Sequence, residues 1–558
     1  MRLSAARLLA TTALLSWALF HCSPAPAHRT SGIDAAFAEY DRPDSPGCAV
    51  GVIEDGELVF GKGYGMASLE LGVPNTTETV YYVGSVSKQL VAASVTLAAR
   101  QGHLALDDDI RRHLPEMPDY GTPVTVRHLI HHTSGLRDYL ALMWMAGMRY
   151  EDVHPDEEII ALVARQKALN FEPGAEYLYS NSGYFLLAEI VKRATGRSLR
   201  EFAQETIFGP LGMTHTRFHD DRTEVVPGRA MAYESDDEDG FRLLWYLNFD
   251  KVGSGGLLTT VEDLVLWDRL FYSDDLAGGG LVEQLLERGV LNDGTELGYA
   301  FALEHGKHRG LPTVAHAGAF MGFRAQLLRF PDERVSVVAL CNLASADPDR
   351  RAREVADVVL EGRFPEPEAP SLEEALPAFV QLSDESLQQY RGGYRDRKDR
   401  TVVRIAAEDG QLVVTGTPSP LRLSPLSETR FRSVGTPSPI ELELGSSEAD
   451  LLLFVDGRLE RTFDAVALVE PGLEELQAYT GRYVSEELEA TYTLVVDEGA
   501  LSLRRGRLDP IALEATARHE FQAEGLRLVL DTPGRDGPAG LTAHAGRVRN
   551  IRFERLRE

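Results

Sequence analysis

Apolar positions along this chain repeat with period two in some stretches and with a helical period in others. Cys48–Ile53 and Leu58–Gly63 read as two strands joined by the turn Glu54-Asp55-Gly56. An apolar run from Val86 to about Arg100 reads as a long helix that Gly102 ends. Helical spacing returns over Tyr184–Thr195 and Val261–Phe271, and strand patterns follow over Thr313–His316, Arg324–Phe330 and Val335–Asn342. Strands at both ends with helices between predict an α/β (α+β) domain over residues 30–362, in which one antiparallel sheet is completed by the two ends beside a helical subdomain. Glu304-His305-Gly306-Lys307-His308 is polar throughout and reads as an exposed loop.

Residues 363–384, with Pro365, Pro367, Pro370 and Pro377 among acidic residues, suit a linker. Beyond it the chain repeats itself. Leu387-Gln388-Gln389-Tyr390-Arg391-Gly392-Gly393-Tyr394 matches Leu476-Gln477-Ala478-Tyr479-Thr480-Gly481-Arg482-Tyr483 at an offset of 89 residues. Within one residue of that offset, Phe431 pairs with Phe521, Gly457 with Gly546 and Phe463 with Phe553. Short alternating runs such as Thr401–Ile405 and Thr491–Val496 predict two small, lipocalin-like antiparallel β-barrels, 385–470 and 471–558, neither carrying a catalytic constellation.

A chain of 558 residues exceeds what one core holds, which agrees with this division. Residues 1–27 fit a cleavable export signal: Arg2 and Arg7, an apolar run from Leu8 to Phe20, then Ala25-Pro26-Ala27. The run is too short to span a bilayer, so a secreted or periplasmic protein without a membrane span is expected. Cys22 raises lipid anchoring as the less favoured alternative, since His21 fits that pattern poorly. Cys48 and Cys341 lie in apolar strand patterns and read as two buried thiols, with a disulfide left open. A net charge of −28 repels nucleic acid and anionic lipid, so neither is an expected partner, and it says nothing further about the small-molecule or peptide substrate. A homodimer stays open.

The chemistry concentrates at three places. In Gly84-Ser85-Val86-Ser87-Lys88 a hydroxyl opens a helix and an amine follows three positions on, so the two share a face. Only seven of the 57 basic residues are lysines, and Lys88 alone has serine three positions before it. Buried there, Lys88 needs a lowered pKa to act as base; a snorkelling lysine beside a capping serine would leave the same pattern. Tyr179 and Asn181, in Tyr179-Ser180-Asn181, precede a helix and can aim a phenol and an amide into one cleft, although a plain turn reads the same way. His316-Ala317-Gly318-Ala319 lies on a strand where glycine permits close approach. There the N–H groups of Ala319 and Ser85 can form an oxyanion hole.

Taken together, these three motifs resemble the serine β-lactamase and penicillin-binding enzyme superfamily, and among its members the class C β-lactamase-like hydrolases. Further likeness runs through His128-Leu129-Ile130-His131-His132-Thr133-Ser134-Gly135-Leu136, Pro210-Leu211-Gly212-Met213 and Gly253-Ser254-Gly255-Gly256-Leu257. The resemblance implies Ser85 as acylated nucleophile, Lys88 as base, Tyr179 as proton shuttle, and Asn181, His316 and Gly318 as substrate-binding positions, with no metal and no cofactor. Class C β-lactamases carry Lys-Thr-Gly where this chain has His316-Ala317-Gly318, so the cation that holds a penicillin carboxylate is mostly absent at neutral pH. His-x-Gly followed by two small barrels is instead similar to D-aminopeptidases. The resemblance therefore implies small amides or esters as substrates, D-amino-acid peptides first. Carboxylesterase, DD-carboxypeptidase or β-lactamase action, and a non-catalytic binding or regulatory protein, are the alternatives. The histidines 128, 131 and 132, and Ser235–Gly240 with Tyr246 at its twelfth position, read as structural or solvated rather than metal-binding.

Overall fold

A computed structural model describes residues 27–557 apart from 237–239, 245–247, 366–378, 417–419, 434–439, 447–448, 456–457 and 535–536. The stretch before residue 27 expected to be an export signal, Cys22, the centre of the expected linker, Gly457 and Tyr246 lie outside the described residues.

Six strands form the first sheet: β1 (Cys48–Glu54), β2 (Glu57–Tyr64), β3 (Glu304–His308), β4 (Leu311–Phe320), β5 (Phe323–Phe330) and β6 (Val335–Cys341). Their order is β3-β4-β5-β6-β1-β2, antiparallel throughout. The first and last strands of the domain thus meet at the sheet's centre. Strict alternation gives the sheet two apolar faces. Cys48, Val50, Val52, Val337, Ala339 and Phe330 point to one core with helices α1 (Ala27–Phe37) and α6 (Pro348–Val359). Ala49, Ile53, Val338 and Leu340 point to another, larger core. That core receives α2 (Lys88–Arg100), α3 (Tyr139–Ala146), α4 (Asn181–Thr195) and α5 (Val261–Ser273). Helix α5 lies so close that a Cβ on Gly51 would stand 2.4 Å from Val261.

Two sequence expectations change here. Residues 304–308 are the edge strand β3, paired to β4 from Glu304↔Ala315 to His308↔Leu311; an edge strand needs no apolar alternation, so its polarity hid it. Cys48 and Cys341 are register partners on β1 and β6 and are joined as a disulfide, with Cα atoms 4.0 Å apart. Apolar flanks made both read as free thiols, because the register that sets them opposite each other is a tertiary fact.

The C-terminal repeat closes into two eight-stranded antiparallel barrels, β7 (Gly392–Asp396) to β14 (Arg458–Val466) and β15 (Gly481–Ser485) to β22 (Val548–Arg555). Each carries the same lock at its entrance: Tyr394 donates to the Tyr390 carbonyl at 2.9 Å, and Tyr483 to the Tyr479 carbonyl at 2.8 Å. The repeated tyrosines are therefore turn-fixing residues. The first barrel packs around its own core, which includes Phe431 and Phe463. The second barrel's core, with Phe521 and Phe553, is continuous with that of the first domain. Among the described residues no helix is long and apolar enough to cross a membrane.

Candidate active site

The sequence Gly84-Ser85-Val86-Ser87 forms a single 3-10 turn, and α2 starts at Lys88. In a 3-10 turn residues three apart eclipse one another, so the turn sets the amine of Lys88 directly over the Ser85 hydroxyl. Lys88 Nζ stands 2.9 Å from Ser85 Oγ and 3.0 Å from Asn181 Oδ1, and also meets the Ser254 carbonyl. The last two groups only accept hydrogen bonds. A neutral amine has two hydrogens for them and keeps its lone pair for the Ser85 hydroxyl. Lys88 is 0% exposed, and burial pushes its pKa well below 10.5, against the pull of Asp138 and with help from Arg547. This constellation can take a proton from Ser85.

Residues 132–135 hold the Tyr179 loop like a rail, through Gly174 N–H to the Thr133 carbonyl (2.8 Å), Leu178 N–H to the His132 carbonyl (3.0 Å) and Asn170 N–H to the Gly135 carbonyl (2.7 Å). At the loop's end α4 begins, and Asp138 Oδ2 caps it by accepting from Asn181 N (2.7 Å) and Asn181 Nδ2 (2.9 Å). Asn181 thus spends its carbonyl on Lys88 and one amide hydrogen on Asp138, and has a second amide hydrogen to offer. Burial holds the Tyr179 phenol well above 10, offset only in part by Ser85 and Arg547. It stays protonated at neutral pH and can act as a donor. Its ring centroid lies 5.0 Å from Lys88 Nζ.

Strand β4 supplies the opposite wall. A Cβ on Gly318 would meet the Val83 carbonyl at 2.0 Å, so only glycine lets this strand lie against the nucleophile turn. A Cβ on Gly84, where φ is +52°, would stand 2.7 Å from Ala319 N. The N–H groups of Ser85 and Ala319 therefore border the same opening. His316 is set by a chain of donors running one way. Ser180 N–H donates to His132 Nδ1 (3.1 Å), so His132 Nε2 carries the proton it shares with Tyr299 Oη at 3.1 Å. The Tyr299 hydroxyl then donates to His316 Nε2 (3.1 Å), and His316 Nδ1 donates to the Ala317 carbonyl (2.7 Å). Every member is neutral. Burial, with Lys88 nearby, pushes His316 down to about 3. The strand edge thus carries no cation at neutral pH, as the residue type alone predicted.

These groups line a cleft of about 620 Å³ whose rim also holds Glu304, Asp347, Asp349 and Arg324. Its last wall comes from the far end of the chain. The hairpin between β21 (Gly540–Ala545) and β22 lowers Arg547 into the cleft, with its guanidinium 4.7 Å from the Tyr179 ring centroid. The hairpin is tied to the first domain by Asn170 Nδ2 to the Arg547 carbonyl (2.9 Å) and Arg549 N–H to Asn170 Oδ1 (2.8 Å). The buried ion pair Arg137–Glu487 (2.6 Å) and Tyr492 Oη to the Met145 carbonyl (2.9 Å) hold the barrel beneath it.

The structure gathers every residue singled out by sequence, Ser85, Lys88, Tyr179, Asn181, His316, Gly318 and Ala319, around one cleft. Sequence reasoning missed Asp138, Ser254, the His132–Tyr299 link and Arg547. Only the Gly253–Leu257 and His128–Leu136 segments hinted at any of these, as stretches of likeness without a role.

Fold and cleft together define a serine hydrolase of the acyl-enzyme class. Residues 33–360 match the Beta-lactamase family, and the chain belongs to it. The chain is 28% identical over 461 residues to a D-aminopeptidase of Gluconobacter oxydans (strain 621H), across 82% of this chain and 83% of that one. It is also 28% identical over 427 residues to penicillin-binding protein 4* of Bacillus subtilis (strain 168), across 73% and 92%. Among solved structures, the octameric penicillin-binding protein homologue from Pyrococcus abyssi shares the fold with a TM-score of 0.55 at 24% identity. That likeness covers 78% of this chain and 99% of that chain.

Proposed function

We propose that Ser85 is acylated by short D-aminoacyl amides and peptides, which a water then releases as the free D-amino acid. Lys88 takes the Ser85 proton as Oγ attacks the substrate carbonyl. The N–H groups of Ser85 and Ala319 receive the developing oxyanion. Tyr179, held protonated, gives its proton to the departing amine and regains one from Lys88. Asn181 holds Lys88 and offers its remaining amide hydrogen to the substrate. Water attacks the ester by the same groups in reverse.

The observation that carries the substrate reading is the charge of the cleft. His316 is neutral at the strand edge, where a penicillin carboxylate would need a cation, and Glu304, Asp347 and Asp349 line one part of the rim while Arg324 and Arg547 line another. Burial and nearby Asp349 raise the Glu304 pKa, against the pull of Arg353. Such a rim favours a substrate ammonium. The D preference is supported by the similarity to proteins named D-aminopeptidase. The reading extends to location: residues 1–27 fit an export signal, and the Cys48–Cys341 disulfide suits an oxidising compartment outside the cytoplasm.

The test is release of p-nitroaniline from D-alanine p-nitroanilide and its L-isomer. The D-isomer should be cleaved at least about tenfold faster, and Ser85→Ala should lower the rate by about 10³-fold or more. Equal rates in wild type and variant would remove Ser85 from the mechanism, and equal rates on the two isomers would remove the stereochemical reading.

A further inference from the structure

We infer that Arg547 is the substrate-carboxylate anchor of this cleft, so that the preferred ligands are short peptides with a free C-terminal carboxylate rather than their amides or esters. The inference rests on the serine hydrolase reading above and names the ligand class of that same site.

Several observations lead to it. The Arg547 side chain is 45% exposed and lines the cleft together with Ser85 and Tyr179. Its nearest carboxylate, Asp138 Oδ2, lies 3.7 Å away and already accepts from Asn181 N and Nδ2, while Asp138 Oδ1 accepts from Ala141 N–H at 3.2 Å. Asp138 is thus committed to the starts of α3 and α4, and among the described residues no hydrogen bond fixes the guanidinium. Five N–H donors beside a reacting serine, paired only with Asp138 at 3.7 Å and without a hydrogen bond to it, form a receptor for a planar anion. The hairpin is also held through backbone atoms, the Arg547 carbonyl and the Arg549 N–H both bonding Asn170, so it keeps these ties when the Arg547 side chain is changed.

A second guanidinium, Arg324, also reaches the rim. It is half-buried and donates to the Phe323 carbonyl at 2.8 Å. Arg547 stands over the Tyr179 ring, next to the reacting groups, and is therefore the one placed to hold a carboxylate within a residue of the scissile bond.

The test is titration calorimetry on Ser85→Ala protein, which cannot turn the ligand over, with D-alanylglycine and D-alanylglycinamide. The acid should bind at least about tenfold more tightly than the amide. Adding Arg547→Gln should abolish that difference, Arg547→Lys should keep part of it, and Arg324→Gln should leave it intact. Equal affinities without the second change, no binding of either ligand, a difference that survives Arg547→Gln, or one that vanishes with Arg324→Gln would each overturn the inference. An Arg547 that served only to depress the Lys88 pKa would weaken both ligands equally, which also overturns it. Thermal midpoints of all variants check that the hairpin stays seated. Release of D-alanine from the dipeptide by wild type is scored separately: its absence beside an intact acid preference sinks the peptidase reading and leaves the anchor standing.

Discussion

The two barrels are copies of one plan with opposite relations to the cleft. Both close eight strands and both lock their entrance with a tyrosine pair. The first reaches the second through Arg395–Glu520 (2.9 Å) and through Gln522, which accepts from Val402 N–H at 3.0 Å. The second sinks Tyr492, Arg505 and Glu487 into the catalytic domain and shares its core. At the 89-residue offset Lys398 stands where Glu487 does, so the first barrel presents a charge that Arg137 would repel. Duplication supplied the scaffold, and a few surface residues decided which copy became part of the active site.

The comparison can be broken most sharply at the buried pair. Arg137 is 1% exposed and Glu487 7%, so Arg137→Ala strands a buried carboxylate and should cost about 3–5 kcal/mol, read as a lower unfolding midpoint of the unit made by the catalytic domain and second barrel. A two-transition melt is expected, with the first barrel unfolding by itself. Cys341→Ser should lower only the joint transition, by about 2–4 kcal/mol, since the disulfide staples β1 to β6. A shift of the first barrel's transition in either variant would show that the three domains melt together.

Acid separates the units further. His316 is pushed down to about 3 and His131 to about 4, from the ordinary 6.5, by burial. The unfolded chain binds these protons below 6.5 while the folded chain refuses them until about 3 to 4, so the neutral forms favour folding above that window. Lowering the pH through it should destabilise the joint unit by up to about 1.4 kcal/mol per pH unit for each histidine. Residues 385–470 contain no histidine, so the first barrel should hold its midpoint down to about pH 4.5 and weaken only below that, where Asp399 and Asp464, both held below 3.8, begin to take up protons in the unfolded chain. The smallest effect is expected at Arg395→Ala, about 1–2 kcal/mol, because in this largely buried pair Glu520 keeps Arg527 3.9 Å away, with no change in ester or anilide turnover. Lost turnover there would mean the first barrel also bears on the cleft.

Much of this was legible in the sequence because it is local. A serine and a lysine three apart at the head of an apolar run can only share a face, and the 89-residue repeat states the barrels outright. Glycine 318 was legible as a close approach, though not the carbonyl it avoids. What stayed hidden depends on docking. Asp138 is an ordinary helix cap until α4 starts beside it, and Tyr299 is one more buried aromatic until His132 and His316 flank it. Arg547 sits in a hairpin of the second barrel, whose sequence offers no catalytic constellation, and no periodicity can place that hairpin over Tyr179. The disulfide was hidden for the same reason, since two cysteines 293 residues apart become neighbours only through register.

That register has a consequence for how the chain is made. Strand β1 leaves the ribosome early and pairs with β2 at once, yet its other edge faces β6, which is synthesised almost the whole domain later. For that interval the nascent hairpin shows an unsatisfied, apolar edge of seven residues, the kind of template on which chains stick to one another.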